Sequence, residues 1–160
     1  MSSMDQVPAA AAGRMAPALD EIDRAILREL TQDGRLAVRA LAERVNISRA
    51  NAYTRLERLK ETGVLTRFTA VIDPARAGLS TSAYVTLNVR QHSWRDLTEH
   101  LRQIPEVKHM ALMGGEFDVM LLVRTTDNEH LRRVVLEQLH SIPGVLGSRT
   151  HLIFDDIGNG

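Results

Sequence analysis

The side chains best suited to chemistry in this sequence lie in one short segment, residues 48–58. Their types suit a nucleic acid, because arginine can pair with guanine or phosphate, asparagine with adenine, and hydroxyl groups with phosphates or base edges. The candidates are Ser48, Arg49, Asn51, Tyr53, Thr54, Arg55 and Arg58. We expect Arg55 to face solvent, opposite an apolar stripe of Ala52, Leu56 and Leu59, with no contact to the core. The segment predicts a helix that reads DNA in the major groove.

The preceding residues predict two helices that would position this segment. The first is expected over residues 20–30, with Asp20 as N-cap and Asp23 completing an acidic variant of the capping box. A second, shorter helix ends at a sharp turn containing Asn46, a residue type that tolerates the left-handed conformation. Ser48 then caps the third helix. This arrangement predicts a helix-turn-helix.

A three-helix bundle whose arginines are merely solvated is the alternative. The whole chain is neutral, yet residues 35–67 carry eight basic and three acidic side chains. Such a local excess can hold a polyanion. The coincidence of turn, cap and basic outer face favours DNA binding. Residues 64–72 are predicted as an extended wing and connector, and residues 1–18 as a flexible tail.

The rest of the chain alternates strands with helices. The predicted strands are residues 82–90, 107–113, 117–124 and 145–157. Ser93 with Asp96 should cap one intervening helix, and Thr126 with Glu129 the other. The order β-α-β-β-α-β predicts a ferredoxin-like antiparallel sheet with both helices on one face.

The predicted fold class is therefore α+β. A winged helix-turn-helix over residues 19–65 is followed by a connector over residues 66–81 and a ferredoxin-like domain over residues 82–157. The third strand, from Phe117 to Val123, is apolar on both faces, so its second face needs a cover. A second subunit packed sheet to sheet is the simplest cover, and the N-terminal domain is the alternative.

Other chemistry lacks support in the sequence. The chain has no cysteine, and no two of its six histidines lie within seven residues of each other, so we expect no metal site. Asp155 and Asp156 are neighbours on a predicted strand, where they would point to opposite faces. No nucleophile, phosphate-loop or dinucleotide motif is present. We therefore expect neither an enzyme nor a cofactor. No stretch matches a membrane span or signal peptide, which favours a cytoplasmic protein.

Several motifs together carry a resemblance to a known family. They are the L-D-x-x-D-x-x-I-L pattern of residues 19–27, Asp33-Gly34-Arg35, Arg55-Leu56-Glu57-Arg58-Leu59, Gly63-Val64-Leu65, Gly115-Glu116-Phe117-Asp118 and Pro143-Gly144-Val145. In this order over residues 19–157, the chain resembles the leucine-responsive/asparagine-regulator (Lrp/AsnC) family. The resemblance implies a bacterial transcription regulator that forms dimers, commonly assembling to octamers, and that responds to an amino acid.

An effector site is predicted beside the tight turn of the second domain. The backbone N–H groups of Gly114, Gly115 and Glu116 could bind a carboxylate. Asp118 could accept a hydrogen bond from an ammonium group. The remaining candidates are Met113 and Phe117 near the turn and, by resemblance, the hydroxyl groups of Ser148 and Thr150. A plain hairpin turn is the alternative for the glycines, and a strand-edge hydrogen bond for Asp118.

The predicted partners are thus double-stranded DNA, further copies of the chain and an amino-acid effector. Three residues depart from the family pattern: Gly114 stands where a hydroxyl is frequent, and Asn51 and Tyr53 stand where small residues are common. The first leaves the identity of the effector open, and the others indicate a distinct operator sequence. An amino-acid-sensing module whose helical domain binds protein instead of DNA is the competing function.

Overall fold

The computed structural model describes residues 18–90 and 94–157. The chain divides into two units, residues 1–70 and residues 71–160, and each unit has its own apolar core. The first unit consists of three helices: α1 (Glu21–Gln32), α2 (Val38–Arg44) and α3 (Arg49–Glu61).

The turns and caps of the first unit confirm the helix-turn-helix prediction. The Asp20 carboxylate accepts a hydrogen bond from the Asp23 backbone N–H at 2.8 Å, and the Asp23 carboxylate accepts one from the Asp20 backbone N–H at 3.1 Å. Asn46 has φ 55°, which is the left-handed conformation the sharp turn requires. Ser48 caps α3 by accepting from the Asn51 N–H at 3.2 Å. The turn at Asn46 and the cap at Ser48 thus determine where α2 ends and α3 begins.

The residues after α3 differ from a regular wing. Residues 64–72 contain no strand. Val64 and Leu65 pack against the core of the three helices, and the Leu65 N–H donates to the Leu59 carbonyl at 2.9 Å. The predicted extended segment thus begins by closing the helical core.

The second unit confirms the ferredoxin-like prediction. Its strands are β1 (Thr81–Val89), β2 (Val107–Leu112), β3 (Val119–Thr125) and β4 (Val145–Ile153). Its helices are α4 (Trp94–Arg102) and α5 (Asn128–Arg133), which continues as a π-helical segment (Val134–Leu139). The strands form one antiparallel sheet in the order β2-β3-β1-β4.

The two faces of this sheet are unequal. Val85 and Leu87 of β1 and Leu121 of β3 are fully buried in a core that also contains the buried residues of α4 and α5. Met120 and Leu122 of β3 alternate with the core residues and are half-buried. Both helices lie on the core side of the sheet. Met120 and Leu122 therefore point to the other side, which we call the open face.

The N-cap of α5 differs by one residue from the predicted one. The N-cap of α5 is Asp127, not Thr126: the Asp127 carboxylate accepts from the His130 N–H at 2.7 Å. A carboxylate is the stronger acceptor here, and the Thr126 hydroxyl instead donates to the same carboxylate at 3.1 Å. Ser93, the predicted cap of α4, lies outside the described residues.

Candidate nucleic-acid interface and ligand site

Helix α3 presents a polar surface to solvent. Six of its seven predicted contact residues are exposed: Ser48, Arg49, Asn51, Tyr53, Thr54 and Arg58. The Arg49 guanidinium lies 5.8 Å from the centre of the Tyr53 ring, a distance typical of a cation–π contact. These residues present hydroxyl, amide and guanidinium groups along one helix, as recognition of a phosphate backbone and base edges requires. Two of the groups also bond within the unit: the Thr54 hydroxyl donates to the Ala50 carbonyl, and Arg58 donates to Asp23.

The seventh residue, Arg55, corrects the expectation drawn from the sequence. Its side chain is 17% exposed and turns toward the N-terminus of α1. Its Nη1 lies 2.7 Å from Asp20 Oδ2 and 2.8 Å from Asp23 Oδ1, and its Nε donates to Asn51 Oδ1 at 2.9 Å. The expectation that Arg55 is free on the outer face, without a role in the fold, is wrong.

The partner of Arg55 is a buried carboxylate that sequence reasoning missed. The Asp23 side chain has no solvent-exposed surface, although we predicted only a capping role for it. Its Oδ1 accepts from Arg55, and its Oδ2 accepts from Arg58 and from the Asp20 N–H. Both oxygens are therefore satisfied, as a buried carboxylate requires. We call Asp20, Asp23, Arg55 and Arg58 the α1–α3 ion network.

The surroundings of Asp20 and Arg55 favour the charged forms of these two side chains. The backbone N–H of Asp23 and then the Arg55 guanidinium lower the pKa of Asp20 below its usual value. The Asp20 and Asp23 carboxylates raise the pKa of Arg55. The Asp20–Arg55 pair thus ties the recognition helix to α1.

The second unit contains a cavity of about 200 Å³ on the open face, beside the predicted effector turn. It is lined by Thr86, Asn88, Glu116, Phe117, Gly147, Ser148 and Arg149. Strand β1 supplies Thr86 and Asn88, and the pairing of Thr86 with Arg149 brings β4 alongside. The cavity is smaller than the roughly 300–1,000 Å³ of pockets for drug-sized ligands, so it suits a molecule of amino-acid size.

One ion pair lies at this cavity. Glu116 Oε1 is 2.7 Å from Arg149 Nη1, and both side chains are 73% exposed. Because water competes for both groups, the pair is held weakly and can exchange partners. Of the residues that line the cavity, Glu116, Phe117 and Ser148 were predicted from the sequence, whereas Thr86, Asn88 and Arg149 were not.

The structure separates some of the predicted effector residues. Asp118 Oδ2 accepts from the Val89 N–H at 2.8 Å, which is the strand-edge role left open above. Ser148 lines the cavity, but its hydroxyl lies 2.7 Å from His140 Nε2, on the helix-covered side of the sheet. Thr150 lines a different groove, beside Val135. Ser148 and Thr150 therefore share a face, but it is opposite to that of Thr86 and Arg149.

The turn itself retains unused donors. Met113 and Asp118 close it, since the Met113 N–H donates to the Asp118 carbonyl at 2.8 Å. Within the described part of the chain, the N–H groups of Gly114, Gly115 and Glu116 donate to no protein acceptor. Gly115 has φ +132°, a conformation that side-chain-bearing residues rarely adopt. A ligand carboxylate could accept from this turn.

Among the described residues, no three His, Asp or Glu side chains are grouped so as to hold a metal ion. No helix in the described part of the chain has the length and apolarity needed to cross a membrane.

A basic helix-turn-helix joined to a ferredoxin-like domain with a small ligand-sized cavity defines the class of DNA-binding regulators with a sensor domain. Comparisons with known families agree. Residues 19–66 match the winged helix-turn-helix DNA-binding model, and residues 82–159 match the Lrp/AsnC ligand-binding domain model.

Known transcription regulators are similar to this chain over most of its length. The transcriptional regulator AldR of Mycolicibacterium smegmatis is 36% identical over 155 residues, which is 95% of this chain and 91% of AldR. The regulator FL11 of Pyrococcus horikoshii is 31% identical over 135 residues, 84% of this chain and 89% of FL11. The crystal structure of a Neisseria meningitidis transcriptional regulator in complex with L-Met has a TM-score of 0.83, with 28% identity, covering 89% of this chain and 94% of that one.

The chain belongs to the Lrp/AsnC family of helix-turn-helix transcription regulators. Members of this family regulate transcription and are not enzymes, which agrees with the absence of catalytic motifs. Relatives from Pyrococcus, an archaeon, stand beside the bacterial ones, so membership does not by itself indicate the bacterial source expected from the resemblance.

Proposed function

We propose that this regulator binds a specific DNA sequence through the exposed side of α3, and that an amino acid bound in the open-face cavity controls that binding. The observation that supports control by an amino acid is the open-face cavity with its exchangeable Glu116–Arg149 pair. On this proposal the protein acts in the cytoplasm, where chromosomal DNA is accessible in bacteria and archaea.

The cavity's charges match those of a free amino acid. Such a ligand needs a cation for its carboxylate and an anion for its ammonium group. Arg149 and Glu116 supply one of each, and a ligand placed between them would replace the direct 2.7 Å contact with two new pairs. The Asn88 amide and the Phe117 ring would then contact the ligand's side chain. The relative with bound L-Met supports an amino acid as the ligand class.

The same face supports self-assembly. Tyr84 is exposed, and Met120 and Leu122 are half-buried, all on the open face. We infer that a second copy packs its sheet against this face and that dimers associate further. An effector bound at the edge of such an interface would favour one packing of the sheets. It would thereby change the spacing of the recognition helices, which must match half-sites about 34 Å apart or a multiple of that.

Calorimetric titration of the full chain with each of the common amino acids tests the effector assignment. We expect at least one to bind, and Arg149→Ala to weaken it roughly tenfold or more, because a charge-assisted hydrogen bond is lost. Arg132→Ala is the matched control, since Arg132 is an exposed, ion-paired arginine outside this cavity. Light scattering on the same samples reports whether the ligand changes the assembly.

Two results would contradict the proposal in different ways. Unchanged affinity in Arg149→Ala would place the ligand elsewhere in the domain. If no amino acid binds the wild type, amino-acid control fails, while DNA binding would stand.

A further inference from the structure

We propose that Arg55 is a positioning residue. It is anchored to the carboxylates of α1, holds the side-chain amide of Asn51 in one orientation, and so determines which base edge Asn51 reads. The inference rests on the DNA binding that family membership gives this chain. It adds a role for α1, whose residues would influence base preference without touching DNA.

The first step is the rigidity of Arg55. Its Nη1 lies within 2.8 Å of oxygens from both Asp20 and Asp23, and the Asp23 carboxylate is fully buried. Three such charge-assisted contacts leave the guanidinium plane little freedom. Another donor on the same plane, Nε, therefore points in a direction that α1 sets.

The second step is the orientation of the Asn51 amide. A guanidinium has only donors, so the Asn51 atom 2.9 Å from Arg55 Nε must be the carbonyl Oδ1. The side-chain NH₂ group then points away from Arg55. Asn51 is exposed and lies in the first turn of α3, the part of a recognition helix that contacts base edges.

The third step is what an amide held in this way can read. Free asparagine pairs with adenine by donating to N7 while its oxygen accepts from the N6 amino group. Here Oδ1 accepts from Arg55 with one of its two lone pairs, so the second can still accept from N6 while the NH₂ group donates to N7. Guanine presents only acceptors, N7 and O6, at this edge and offers no donor to Oδ1. The structure thus assigns Asn51 a preference for adenine over guanine that depends on the orientation Arg55 gives its amide.

The test begins with selection of bound sequences from a pool of randomised DNA duplexes, using the full-length protein. Affinities for duplexes that differ only at the base pair read by Asn51 are then measured by fluorescence anisotropy over a range of salt concentrations. The variants are Asn51→Ala, Arg55→Lys and the double variant. Lysine keeps the charge but lacks the fork that contacts Asn51 and the carboxylates together.

We expect Asn51→Ala and Arg55→Lys each to reduce the adenine preference at the same base pair by about tenfold. The double variant should lose no more than Asn51→Ala alone, because both act through one amide. The salt dependence should stay as in the wild type. Arg39→Ala, which removes an exposed arginine of α2, is the control and should leave base preference unchanged.

Other outcomes would overturn the assignment. Wild-type base preference in Arg55→Lys would show that Arg55 does not position Asn51. Equal loss for all duplexes with a shallower salt dependence would make Arg55 a phosphate contact. If Arg55→Lys does not fold, Asp20→Asn keeps the cap and loosens the same guanidinium, and it should reduce the preference in the same direction. A wild type that enriches no motif would contradict sequence-specific DNA binding itself.

Discussion

Two groups of ion pairs in this molecule have opposite surroundings. In the α1–α3 ion network, the Asp23 side chain is completely shielded from solvent and Arg55 is 17% exposed. In the open-face cavity, Glu116 and Arg149 are each 73% exposed. The contacts of Arg55 with Asp20 and Asp23 and the contact between Glu116 and Arg149 have nearly the same length, 2.7 to 2.8 Å. Distance alone therefore does not tell a structural ion pair from an exchangeable one.

The difference lies in the cost of breaking each pair. Separating Arg55 from Asp23 would leave a charge in a place that water does not reach, and this is strongly unfavourable. Separating Glu116 from Arg149 returns both groups to water, which costs almost nothing. The first pair can fix the geometry of the recognition helix. The second can give way to a ligand.

The largest test of this comparison is Asp23→Ala. We expect it to lower the free energy of unfolding by about 3 kcal/mol, because two guanidinium groups lose a buried partner. Thermal unfolding followed by circular dichroism measures the change. Glu21→Ala is the matched control: it removes an exposed carboxylate from the same helical turn and should change stability by less than about 0.5 kcal/mol. Equal effects of the two variants would refute a structural role for the network.

A second test concerns the turn that carries Glu116. Gly115→Ala should destabilise the second unit by about 1–3 kcal/mol, because φ +132° is strained for any residue with a Cβ. Gly114→Ala should change stability little, since its backbone has no such φ and nothing lies within 4 Å of an added Cβ. The midpoints of thermal unfolding of the two variants measure this difference in stability. Equal midpoints would mean that the turn is not constrained at Gly115.

The smallest expected effect is on acid stability. Because the pKa of Asp20 is lowered in the folded state, this carboxylate stabilises the fold above its usual pKa near 3.8. That contribution is lost as the pH falls through the lowered value. Asp20→Asn keeps an oxygen for the N-cap but does not titrate. Its stability should therefore decline less steeply than that of the wild type below about pH 4. If the stability of the wild type and of Asp20→Asn declined equally with falling pH, Asp20 would not contribute to acid sensitivity.

Local patterns predicted the elements well. The order of helices and strands, the Asp20 capping box, the turn at Asn46 and the Ser48 cap all depend on neighbouring residues, and the structure confirms them. Arg55 was placed wrongly although a local signal existed. It lies three residues after Ala52 and four before Leu59, so it flanks the apolar stripe instead of opposing it. Asp23 likewise precedes Ile26 by three residues.

The candidate ligand site depended on information that no local pattern contains. Glu116 and Arg149 are 33 residues apart and meet because β1 pairs Thr86 with Arg149. Alternation in β4 correctly grouped Ser148 with Thr150, yet it could not show which side of the sheet they face. A shift of one residue in strand register reverses that assignment. The contributions of Thr86, Asn88 and Arg149 to the cavity therefore required the register itself.

The π-helical segment Val134–Leu139 bears on how this chain would tolerate a deletion. The His140 N–H donates to the Val135 carbonyl, five residues back, so this turn holds one residue more than an α-helical turn. Losing one residue here would restore an ordinary α-helix between the same two ends. A one-residue deletion at this turn should thus leave the alignment of β4 with β1 unchanged.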